Sequence, residues 1–186
     1  MSFTKVQTGV KVASSTTNPR SIALGSDPQL GSVVCLGIWN AQSANTITSV
    51  VDANGNNYTI TDTSPVGAGG AGRIWLAYLI APANADKTVT VTFGTSGESN
   101  ALWLDEFAPP AGMYASWDYD SSGSGNSTNI NSPTLTVRER GELLYSLGAG
   151  IGVELGGDVA GELEMLLLVF ADRHVACLVE QHVGRL

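Results

Sequence analysis

At 186 residues the chain has the length of one domain, or of one domain with an appendage, and can bury a sizeable core. Nine lysines and arginines against 17 aspartates and glutamates give a formal net charge of −8, which argues against nucleic-acid binding, since phosphate neutralisation needs clustered cations. Only 14% of residues are charged and 22 are glycine; with abundant Ser, Thr and Asn between short β-branched runs, this is the composition of an all-β protein with many turns.

The N-terminus has no apolar core followed by a small-residue cleavage site, so no secretory signal is expected. Phe3 to Ala13 alternates loosely and predicts a first, edge strand, closed by the turn cluster Ser14–Pro19. Ser21–Leu24 is a short strand broken at Gly25–Pro28. Ser32–Trp39 is a near-continuous apolar run rich in β-branched residues, the pattern of a central strand buried on both faces. Asp52–Asn57 then separates Ile47–Val51 from Tyr58–Thr61. Asn54-Gly55 between two such runs predicts a β-hairpin, because both residue types tolerate positive φ.

Pro65–Gly72 is a glycine-rich connector. Arg73–Ile80 is an aromatic strand, and Thr88–Phe93 alternates cleanly, with Val89, Val91 and Phe93 facing one way and three threonines the other. Ala101–Phe107 is a further strand. Met113–Asp120 is aromatic and acidic, Ser121–Asn131 has loop composition, and Pro133–Val137 and Gly141–Leu147 predict two more strands. From Gly141 onward Thr, Asn and Pro vanish. Leu163, Leu166, Leu167 and Phe170 could line one helical face, but after so much β structure a strand pair, Leu163–Phe170 and His174–Val179, is the favoured reading. The expected organisation is a β-sandwich over 1–147 and an apolar segment over 148–186 that completes the sandwich or mediates assembly. No run is long enough to insert in a bilayer as a helix.

Chemistry is sparse. His174 and His182 lack metal-ligand spacing, and the two cysteines, Cys35 and Cys177, read as buried free thiols rather than a disulfide. No nucleophile elbow or phosphate-cradling loop occurs, so neither an enzyme nor a cofactor is expected. Asp105 and Glu106 are adjacent in a strand and point to opposite faces, which prevents joint action on one bond. Asp52, Asn54 and Asn56 imitate the start of a calcium loop, but Gly55 comes one place early and Thr63 stands where the bidentate acid belongs, so a turn is expected. The candidate ligand-binding set is Trp117, Asp118, Tyr119 and Asp120. In an extended segment the two carboxylates share a face, where they could bond sugar hydroxyls beside stacking rings or hold a calcium ion. Trp39, Trp75 and Trp103 read as core residues.

The succession Gly31–Gly37, Ile47–Thr59, Ile74–Tyr78, Thr88–Phe93 and Ala101–Phe107 resembles a β-sandwich module recurrent in bacterial multidomain surface proteins and tailed-phage virion proteins. The resemblance covers roughly residues 30 to 147. It implies a non-catalytic adhesive, carbohydrate-binding or scaffold unit. The combined expectation is an antiparallel sandwich, jelly-roll or immunoglobulin-like, serving as a virion structural protein such as a capsid decoration. Such a protein would form a homo-oligomer, a trimer being the simplest, and contact capsid or tail proteins. The alternative is a glycan-binding module at an extracellular surface.

Overall fold

A computed structural model describes residues 3–10, 12–42, 44–65, 72–115, 143–151, 161–169 and 177–180; 13–14, 61–65 and the last three segments are described by backbone alone. The described residues form strands and no helix. In chain order the strands are β1 (Thr4–Thr8), β2 (Val12–Ser15), β3 (Arg20–Ala23), β4 (Val33–Asn40), β5 (Ile47–Asp52) and β6 (Thr59–Pro65). Then come β7 (Arg73–Ile80), β8 (Thr88–Phe93), β9 (Asn100–Ala108), β10 (Leu143–Ile151), β11 (Gly161–Val169) and β12 (Cys177–Glu180).

The chain folds back on itself about Asp52–Asn57, and its pairings nest around that turn. β4 pairs with β7 from Val33↔Ile80 to Asn40↔Arg73, β3 pairs with β8, and β2 pairs with β9, all antiparallel. The nest is rolled, so that β4 also pairs with β9 and β5 with β8. Two sheets result. The larger runs β1-β9-β4-β7-β6 with β2 also on β9, and the smaller runs β3-β8-β5. They share one apolar core, an arrangement consistent with a β-sandwich.

The predicted hairpin needs correction. Its turn forms, with Gly55 at φ 85°, a bridge between Val51 and Asn57, and the Tyr58 N–H donating to the Val50 carbonyl at 2.9 Å. Beyond that rung the strands part, β5 to β8 in the small sheet and β6 to β7 in the large one. Turn chemistry sets the reversal; the partner of each strand is set by which sheet buries its apolar face. Tyr58, buried at the parting point, joins the core between the two sheets.

Alternation fills that core. Val34, Leu36 and Ile38 on β4, Leu102 and Leu104 on β9, and Trp75 and Ala77 on β7 meet Ile22 on β3 and Val89, Val91 and Phe93 on β8. Trp75 and Phe93 meet edge to face across the sheets, 6.3 Å between centroids. The opposite face of the large sheet is apolar too: Val33, Cys35 and Phe107 cluster there, as do Ala101 and Trp103 with Trp39 and Ile74. β4 is therefore buried on both faces, as its unbroken apolar run predicts. The thiol of Cys35 is free.

The tail forms strands where it is described, and the helical alternative is not realised there. β10, β11 and β12 make a separate antiparallel sheet, with Leu143↔Val169 and Val169↔Cys177 among its register pairs. Residues of β10 come within 8 Å, Cα to Cα, of β4 and β7. Pro133–Val137 lies outside the described residues.

Asp52 ties the turn to the rest. Its carboxylate accepts from the backbone N–H of Asn54 (3.0 Å) and Asn56 (2.8 Å), from Asn56 Nδ2 (2.7 Å), and from the backbone N–H of Asp86 (2.9 Å) in the β7–β8 connection. Asn54 Nδ2 also donates to the Asn84 carbonyl, at 2.9 Å. Thus one carboxylate locks the β5–β6 passage between sheets to the β7–β8 passage. Burial works to raise its pKa, but the bonds from Asn56, Asp86 and Asn54 outweigh it and hold the group below the usual aspartate value.

Asp52→Ala would take the charged acceptor from several part-buried donors, and an unfolding free energy lower by about 2 kcal/mol is expected from urea titration with unchanged slope. Because the folded-state pKa is depressed, the contribution is complete above the unfolded aspartate pKa and is lost as pH falls through the folded value. Stability measured from about pH 6 to about pH 2 should therefore fall more steeply in the native protein than in Asp52→Asn.

Candidate functional site

Trp117, Asp118, Tyr119 and Asp120 lie outside the described residues, as do residues 66–71 of the glycine-rich connector and both histidines. The buried polar and charged side chains that the structure does place fall at the two ends of the paired sheets.

At the turn end the carboxylates are enclosed. Asp105 and Glu106, both fully buried on β9, point to opposite faces as expected. Glu106 accepts from the Gln29 N–H (2.7 Å), Ser32 Oγ (2.6 Å) and Gln7 Nε2. Asp105 accepts from Thr8 Oγ1 (2.7 Å) and pairs with Lys5 Nζ (2.9 Å). A bulge makes this double reading possible. β1 shifts register between Lys5 and Gln7, so Lys5 and Thr8 face Asp105 while Gln7 turns to Glu106. Cys35 is the cross-strand partner of Asp105. Burial first, then the charge of Asp105, pushes its thiol well above the ordinary range, which leaves it a poor nucleophile. Burial likewise raises the Tyr58 hydroxyl, with the Asp52 charge adding to it.

The Asp52–Asn56 turn presents N–H groups inward to its own carboxylate, the reverse of a calcium loop, whose oxygens must face a cation. Among the described residues no group of three or more His, Cys, Asp or Glu could hold a metal ion.

At the other end lie residues 16–19, 41–42, 44–46 and 94–99, with the ends of β6 and β7 at Pro65 and Arg73. Beneath them a polar row crosses the large sheet. Asn40, the last residue of β4, stands in register with Asn100 of β9 on one side and Arg73 of β7 on the other. Arg20, buried at the start of β3, donates through Nη1 to the Asn100 carbonyl (2.7 Å) and Oδ1 (2.8 Å), and its burial lowers its pKa. The Asn45 side-chain oxygen accepts from the Thr46 and Thr95 N–H groups, and the Asn40 oxygen from the Gln42 N–H. Gly94 donates to the Thr46 carbonyl at 2.8 Å, and a Cβ there would meet Thr46 Oγ1 at 2.5 Å, so these loops are closely joined.

Three donors here have no acceptor among the described residues: Asn40 Nδ2, Asn45 Nδ2 and Arg73 Nε. Each buried, unbonded donor costs about 1–3 kcal/mol. The sequence pattern ends the β4 run at Trp39, one residue short of Asn40, makes Arg73 only the first residue of a strand, and points to none of Asn40, Asn45 and Arg73 as a site. The available signal was period two: Val34, Leu36, Ile38, Asn40 puts an amide on the core-facing row.

No family model, curated protein or solved structure matches the chain. The reading of function therefore stands on residues and geometry.

Glu106→Gln replaces one acceptor oxygen with a donor among groups that already donate. An unfolding free energy lower by about 2 kcal/mol is expected from urea titration. Val10→Ser, at a side chain 82% exposed, should change it by less than about 0.5 kcal/mol in the same titration.

Proposed function

We propose that the chain is a non-catalytic structural protein of a virion, a capsid decoration or other surface protein, built on a jelly roll. The observation that carries this is the nesting of pairs around Asp52–Asn57: β5 touches β6, β4 pairs with β7, β3 with β8 and β2 with β9. A long hairpin of that kind, rolled so that alternate strands fall in opposite sheets, is the wiring of a jelly roll, an architecture of viral capsid and lectin domains. An immunoglobulin-like order fits these pairings less well.

A structural role is further supported by the carboxylates. Asp52, Asp105 and Glu106 are each bonded to groups that hold strands or connections in place. The apolar tail, with β11 and β12 extending the sheet begun by β10, suits contact between copies of the chain or with capsid or tail proteins. A glycan-binding module is the second reading, favoured by the polar loop end of the sandwich.

Light scattering behind a sizing column tests the first reading. A defined closed oligomer, a trimer in the simplest case, is expected, and deletion of residues 161–186 should abolish it. A monomer, or a truncated chain that stays folded and assembles normally, overturns the reading.

A further inference from the structure

We propose that the loop end of the sandwich, at Asn40, Asn45 and Arg73, binds a carboxylate. The inference goes beyond a structural role and does not depend on it.

Asn40 and Asn45 are each only 1% exposed, yet both side-chain nitrogens lack an acceptor among the described residues. Rotating either amide does not cure this. The Asn45 oxygen already takes two backbone N–H groups and the Asn40 oxygen takes one, so a rotated amide would set its NH2 against those donors. The surplus of donors is built into the turn. The Asn45 N–H donates to the Gln42 carbonyl at 3.2 Å, which holds both asparagines on one compact turn.

Arg73 stands beside them. It is the register partner of Asn40, and its Nη1 reaches the Asn45 carbonyl at 3.5 Å. Its guanidinium lies 5.9 Å from the centre of the Trp75 ring, and its Nε has no acceptor among the described residues. The unmet groups are thus two amides and one edge of a cation, all donors. What they lack is oxygen acceptors; because one of the donors is a cation, a carboxylate, with two anionic oxygens whose lone pairs serve several N–H groups, matches them better than a neutral carbonyl. Arg73 is only half-buried, so the way in lies along its side chain. Gln42, Thr46 and Thr95 in the adjoining loops offer amides and hydroxyls to the rest of a ligand. The carboxylate could belong to a small free acid or to a uronic sugar.

The test is thermal unfolding of the full chain in sodium acetate, sodium glucuronate, glucose, and sodium chloride at matched ionic strength. At ~100 mM, acetate or glucuronate should raise the midpoint by about 3 °C or more over chloride, and glucose should not. Glucuronate acting at lower concentration than acetate assigns the site to a carboxylated sugar, and equal action assigns it to the carboxylate alone. Arg73→Gln should remove the response. Asn45→Asp keeps the oxygen that accepts from Thr46 and Thr95 and places a second one among the donors; this variant should unfold at higher temperature than the native chain and ignore acetate. Equal midpoints in all four solutions would mean that the donors hold an ordered water only, and would overturn the proposal. So would a response that survives Arg73→Gln.

Discussion

The hydrogen bonds converging on the carboxylate of Asp52 hold the point about which the chain is doubled. Two strands leave that turn for different sheets, and nothing in their own ladder keeps them together past Tyr58. The restraint comes from side chains: Asp52 binds its own turn and Asp86 across from it, and Asn54 adds Asn84. Because the later pairings nest outside this one, an error at the tip would be passed to every rung beyond. A buried, multiply bonded carboxylate is costly to place and tolerates few alternative geometries.

The two ends of the sandwich differ in the balance of donors and acceptors. At the turn end, anionic oxygens meet N–H and O–H groups that are already part of the chain, as Glu106 does with Gln29 and Ser32. At the loop end, the side-chain oxygens of Asn40 and Asn45 are bonded and their nitrogens find no acceptor among the described residues, whereas Asn100 and Asn18 are bonded through their nitrogens. At the first end the carboxylates are met from within the chain, and the Tyr58 hydroxyl is the buried group that finds no partner among the described residues. The second has hydrogen-bonding capacity facing a loop cluster, the place where sandwich proteins commonly carry recognition.

How much of this could be read from the chain depends on which residues one asks about. The unbroken run through β4 and the threonine-valine alternation of β8 are local, repeated signals, and both strands lie where the pattern puts them. The tail was ambiguous because Leu and Met serve helices and buried strands alike; its backbone adopts strands where it is described. The hairpin misled for a different reason. Asn54-Gly55 specifies a reversal over a few residues, whereas the partners of β5 and β6 are chosen by contacts with β8 and β7 far along the chain. The candidate site was the least legible part. Asn40, Asn45 and Arg73 are ordinary residues for strand ends and turns, and their burial arises only when three strands and two loops come together. Trp117, Asp118, Tyr119 and Asp120 remain a sugar-binding proposal read from composition, at positions beyond the described residues.

The bulge in β1 has a consequence for how the large sheet is closed. Gln7 and Thr8 are neighbours in sequence, yet each finds a different carboxylate on a different face of β9. A slide of β1 by one residue would present each carboxylate with the wrong side chain and turn Lys5 away from Asp105. The strand therefore works as a two-toothed key: it seats in one position only, and until it is seated Asp105 lacks Lys5 and Thr8 and Glu106 lacks Gln7.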